Sequence, residues 1–121
     1  LRDQLHQMIV RDSEFPQNPM KAMQRGFEQA EASFLEFAHS ESNSDQGSVQ
    51  RSGSCAIVVL IVGDVAYVAN VGDSRAFMST DEGKKIVQLS VDHKPECKDE
   101  QERIESNGGK VYQNQSYIPD P

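Results

Sequence analysis

Residues 56–76 decide how this chain reads: Ala56-Ile57-Val58-Val59-Leu60-Ile61-Val62, then Gly63-Asp64, then Val65-Ala66-Tyr67-Val68-Ala69, then Asn70-Val71-Gly72-Asp73-Ser74-Arg75-Ala76. The first run is almost continuously β-branched, the composition of a strand buried on both faces. Gly followed by a polar residue is the signature of a two-residue type II′ hairpin, so the second run is expected to fold back on the first. The acidic turn that follows places Asp73 at a strand end. A carboxylate there is costly to bury unless a cation or hydrogen-bond donors meet it, which makes Asp73 the first candidate for chemistry. Gly72 before it allows a backbone, ligand or metal to come close.

Outward from this core, the pattern predicts an α+β fold. Ser74 to Ser79 reads as a third strand, Asp81-Glu82-Gly83 as a turn and Lys85 to Leu89 as a fourth strand, together an antiparallel β-meander within residues 52–90. Residues 1–38 read as helical. Leu1, Leu5, Met8 and Ile9 end one amphipathic helix. After a turn with Pro16 and Pro19, Met20 to Ala38 forms a second, with Met23, Phe27, Ala30, Phe34 and Phe37 or Ala38 on one face. A Phe and Met stripe at this spacing is core far more often than a cofactor site. Residues 40–51 are a polar loop with almost no apolar content. Lys98 to Ser106 reads as a last helix within residues 97–109, stopped by Asn107-Gly108-Gly109. Val111-Tyr112 looks like the start of a further strand.

Composition narrows the function. The 121 residues suffice for one small domain, and the net charge of -7 argues against a nucleic-acid partner, whose surface is normally basic. No apolar run approaches the roughly 18 residues of a membrane helix, so no membrane partner is expected. Cys55 and Cys97 form neither a disulfide framework nor a Cys-x-x-Cys pair, which points to an intracellular, cytoplasmic setting. Cys55 is expected to pack as a small hydrophobe. His6 and His39 stand alone and are expected to face solvent. Ser74 lacks a base at triad spacing.

Five short motifs in order carry a resemblance: Ser52-Gly53-Ser54-Cys55-Ala56, Val71-Gly72-Asp73-Ser74-Arg75-Ala76, Asp92-His93-Lys94-Pro95, Glu102-Arg103-Ile104-Glu105 and Gly108-Gly109. Together they resemble the middle of a type 2C metal-dependent protein serine/threonine phosphatase. The resemblance implies part of an αββα sandwich, with residues 1–121 a partial catalytic domain. It implies phosphorylated protein substrates and two or three Mg2+ or Mn2+ ions, whose bridging water attacks phosphoserine or phosphothreonine. Of the family's metal residues only Asp73 has a counterpart here, resembling the carboxylate of a third, weaker metal. The family's upstream Asp-Gly-His-Gly and downstream Asp-Gly and Asp-Asn are absent, and Cys55 stands where many members have Thr. No catalytic residue is therefore expected within this chain, which reads as an internal piece, inactive alone and marginally folded. The competing reading is a non-catalytic, phosphatase-like binding or regulatory domain.

Two readings of Asp73 stand side by side: a metal ligand, or a turn acid neutralised by Arg75 on the same side of the strand. Arg75 is expected to be structural, and Asp92-His93-Lys94-Pro95 to shape the sheet end rather than move protons.

Overall fold

The computed structural model describes residues 1–42 and 52–113. In order they form α1 (Leu5–Val10), α2 (Pro19–Ser42), β1 (Ala56–Val62), β2 (Val65–Val71), β3 (Phe77–Thr80), a single 3-10 turn (Asp81–Gly83), β4 (Lys85–Gln88) and α3 (Lys98–Ser106). Helices with antiparallel sheets make this a mixed α+β fold, as the periodicity implied.

The β-meander resolves instead into two separate two-stranded sheets, β1–β2 and β3–β4. Seven rungs pair β1 with β2, from Ala56 opposite Val71 to Val62 opposite Val65, leaving Gly63-Asp64 as the two-residue turn. Gly63 carries the positive φ of 59° that a II′ turn needs at its first position. No ladder joins β2 to β3, because the chain bends through residues 72–76 and strand geometry resumes only at Phe77. The third strand is thus shorter than Ser74 to Ser79. Residues 111–113 form no strand. α2 runs four residues beyond Ala38, so residues 40–42 of the expected loop are helical; residues 43–51 lie outside the described residues.

Asn18 and Pro19 start α2 together. The Asn18 Oδ1 accepts the Lys21 N–H at 3.2 Å, the bond of an N-cap, and Pro19 lacks the N–H that a first turn leaves unpaired. The preceding turn is tied back by ion pairs from Lys21 Nζ to Glu14 (2.6 Å) and from Arg25 Nη1 to Asp12 (3.5 Å).

The core lies where α1 and α2 meet one face of β1–β2. Leu5, Ile9, Ala22, Met23 and Ala30 are buried, with Met8, Phe15, Phe27, Ala56, Val58, Leu60, Tyr67 and Ala69 packed against them. Phe34 and Phe37, expected in the stripe, are exposed. A 24-residue helix is about 36 Å long, whereas a seven-residue hairpin spans about 23 Å, so the far end of α2 overhangs the sheet. The opposite sheet face carries Ile57, Val59 and Ile61 across from Asn70, Val68 and Ala66. Two-sided burial, expected from β1's composition, is met on one side only: Val59 is 51% and Ile61 71% exposed.

Gly26 marks the closest approach of the two helices. A Cβ there would lie 2.6 Å from Ile9 Cγ1 and 3.4 Å from the Ile9 backbone nitrogen. In a free helix Gly26→Ala would gain about 1 kcal/mol in propensity. Overpacking against α1 is expected to reverse that gain and to lower stability by about 1–3 kcal/mol in urea unfolding. A raised unfolding midpoint would show that α1 does not seat on α2 in this way.

Candidate functional site

The site follows from the bend between the two hairpins. Gly72 takes φ 103°, a region that side chains with a Cβ rarely enter, and its Cα packs on Cys55. A Cβ at position 72 would stand 2.3 Å from Cys55 Sγ. Cys55 is exposed overall rather than buried in the core, yet this contact fixes where its thiol points. The thiol donates a long hydrogen bond of 3.5 Å to Asp73 Oδ1.

Arg75 does not neutralise Asp73. Its Nε and Nη2 reach instead to Asp92, at 2.7 Å to each carboxylate oxygen, a bidentate pair between the bend and the loop after β4. Lys94 Nζ adds a second cation 3.7 Å from the same carboxylate. Asp92 is the sheltered member, with a side chain 12% exposed against 50% for Arg75. The hydrogen bonds from Arg75 hold the Asp92 carboxyl below its ordinary range, with burial opposing them. Arg75 is raised in return, first by its bond to Asp92 and least by the through-space charge of Asp73.

Backbone and neutral side chains complete the junction. The His93 N–H donates to Gly72 O at 3.0 Å and the Leu89 N–H to Ala76 O at 2.8 Å. The Ala76 N–H donates to Ser90 Oγ at 3.0 Å, which gives the buried Ser90 hydroxyl its partner. Asn70 Nδ2 donates to both Gly72 O and Val91 O. The Asp92-His93-Lys94-Pro95 stretch thus organises the sheet end, with the His93 ring itself exposed. Further along, Arg103 grips Glu100 at 2.6 and 2.8 Å and holds its carboxyl below the ordinary range, while Gly109 N–H closes α3 on Ile104 O. His6 and His39 face solvent.

Asp73 is exposed, so no desolvation penalty demands a partner for it. No ion pair joins it to any described residue, and its carboxylate is open to a hard cation. One carboxylate does not make a metal site, however. Among the described residues no group of three or more His, Cys, Asp or Glu side chains converges to hold an ion. The neighbouring thiol is too soft a donor to suit Mg2+.

The partnership Arg75–Asp92 was out of reach of local spacing, because the two residues lie 17 positions apart. Its pH dependence is testable. A carboxyl with a depressed folded pKa contributes stability that is complete above the unfolded value of about 3.9 and is lost as pH falls through the folded value. Asp92→Asn is therefore expected to lower the thermal midpoint at pH 7, with the gap to the unmodified chain narrowing only as pH falls below about 4 and closing below the folded value. A gap that stays constant down to low pH would mean that the Asp92 charge is not its source.

With the geometry in place, comparison with known proteins gives a consistent result. The family model described as "Protein phosphatase 2C" matches residues 1–119. Among curated relatives, "Probable protein phosphatase 2C 57" of Oryza sativa subsp. japonica is 40% identical over 89% of this chain and 27% of its own length. "Probable protein phosphatase 2C 76" of Arabidopsis thaliana is 35% identical over 92% of this chain and 24% of its own length. "Probable protein phosphatase 2C member 13, mitochondrial" of Oryza sativa subsp. japonica is 39% identical over 92% and 28%. The chain therefore spans only about a quarter of the relatives it matches. No solved structure matches it at a significant level. No helix among the described residues is long and apolar enough to cross a membrane. A family-model match over residues 1–119, with relatives 35–40% identical over about nine-tenths of the chain, makes this chain a member of the protein phosphatase 2C family.

Proposed function

We propose that this chain is part of the catalytic domain of a phosphatase acting on phosphoserine and phosphothreonine in proteins, and that Asp73 is one ligand to a divalent ion, Mg2+ or Mn2+, at the edge of that site. The observation that carries the reading is the state of Asp73. Its carboxylate is exposed and, among the described residues, free of ion pairs, while Arg75, two positions on, is engaged by Asp92.

The chain's own residues supply positioning. Gly72 and Cys55 set the direction of Asp73, and the Arg75–Asp92 pair keeps the guanidinium from collapsing onto it. Such ions, when bound, activate water and neutralise phosphoryl charge. They would also offset the repulsion between a phosphorylated substrate and a chain of net charge -7. The remaining ligands belong to flanking sequence in this reading, so residues 1–121 alone are inactive. The exposed, unpaired cysteines support a reducing, intracellular compartment, the cytoplasm by default; the mitochondrial relative makes that organelle the alternative.

The test uses a longer protein that contains this chain. Turnover of a phosphothreonine peptide is expected to depend on Mn2+. Asp73→Asn should raise the Mn2+ concentration for half-maximal rate by at least about tenfold, the scale of changes in metal-site shells. An unshifted Mn2+ titration would remove Asp73 from the metal site. Absence of any Mn2+-dependent turnover in the unsubstituted protein would favour the non-catalytic binding domain.

A further inference from the structure

Asn70 is the polar residue on a sheet face otherwise made of Ile57, Val59, Ile61, Ala66 and Val68. Asn70 is half-buried at the end of that face, where an amide needs hydrogen-bond partners. Its Nδ2 donates 2.9 Å to Gly72 O, in its own turn, and 2.8 Å to Val91 O, in the loop after β4. Gly72 O also accepts the His93 N–H at 3.0 Å. One side chain therefore closes a ring of hydrogen bonds through Gly72, His93 and Val91. Asp73 follows Gly72 directly, and Asp92 lies between Val91 and His93. The amide orientation is dictated by its partners, since a flipped Oδ1 would face two carbonyl oxygens. Oδ1 itself is buried with no hydrogen-bond partner among the described residues, so the contribution of Asn70 lies wholly on its donor side.

We propose that Asn70 is a positioning residue: its two donated bonds lock the Gly72–Arg75 bend onto the Val91–Lys94 loop and thereby fix the direction in which Asp73 presents its carboxylate. No ladder joins the two hairpins, so without this lock the bend hangs on the Arg75–Asp92 pair, the Ser90 hydroxyl and the backbone bonds at Gly72 and Ala76. The inference rests on the reading of Asp73 as a metal ligand, and the experiment separates the two.

Asn70→Asp keeps the volume and the acceptor but replaces both donated bonds with charge repulsion against the carbonyls. In the longer protein, below its unfolding temperature, this variant is expected to raise the half-saturating Mn2+ about tenfold. Hydrogen exchange at the His93 amide should quicken by a similar factor, with β1–β2 amides unchanged. Asn70→Ser, which removes the repulsion and keeps a short donor, is the second variant should Asn70→Asp fail to fold, and should show a smaller shift in the same direction. Unchanged Mn2+ dependence and unchanged His93 exchange would overturn the proposal, as would faster exchange spread evenly over all amides. Asp73→Asn is run in parallel. If it shifts the titration and the Asn70 variants do not, the positioning role fails alone. If neither shifts, both readings fail. If only the Asn70 variants shift, Asp73 is not the residue being positioned, and the proposal fails in its stated form.

Discussion

Arg75, in the bend that follows β2, grips Asp92, in the loop after β4, with two hydrogen bonds of 2.7 Å. Each hairpin is internally held by its own backbone ladder, but neither ladder extends to the other. The Asn70 amide and the His93 N–H on Gly72 tie the end of β2 to the loop after β4, while this ion pair and the Ser90 hydroxyl hold that loop to the bend. The pair has a fork-to-fork geometry that sets orientation as well as distance, which a Lys at position 75 would not reproduce. The bend from 72 to 76 has no regular secondary structure, so its shape is set by the groups that meet it.

The helices act on the site at one remove. α1 and α2 cover one face of β1–β2, where Ala56, Val58, Leu60, Tyr67 and Ala69 meet Leu5, Ile9 and Met23. That packing fixes β2, and β2 delivers Asn70 and Gly72 to the loop after β4. Register matters here, because a one-residue slip would send Asn70 into the helix-facing layer and Tyr67 or Ala69 out of it.

Local patterns carried much of this fold. The hairpin at Gly63-Asp64, the α3 span and the core spacing of Leu5, Ile9, Met23 and Ala30 are written in neighbouring residues, where turn chemistry and helical period operate. Misreadings arose where the deciding contact was distant. Alternation suggested that Arg75 would serve Asp73, yet Asp92, more sheltered and facing the guanidinium squarely, is the better partner. A meander was expected from successive strand-like runs, but run order does not reveal whether adjacent strands share a ladder. Phe34 and Phe37 keep helical spacing while the sheet beneath them has already ended. At the site, Asp73 was visible through its motif, whereas Asn70 was hidden because an Asn in a strand has no local signature of what it holds.

Cys55 and Gly72 occupy one small volume from two sides, since the sulfur stands where a side chain at 72 would begin. Position 72 is not free to change by itself. Any residue with a Cβ at 72 requires a smaller or displaced group at 55, and a branched residue at 55 must turn its second substituent away from the Gly72 Cα. The two positions are therefore sterically coupled, and the turn that carries Asp73 limits the shape of the side chain at the mouth of β1.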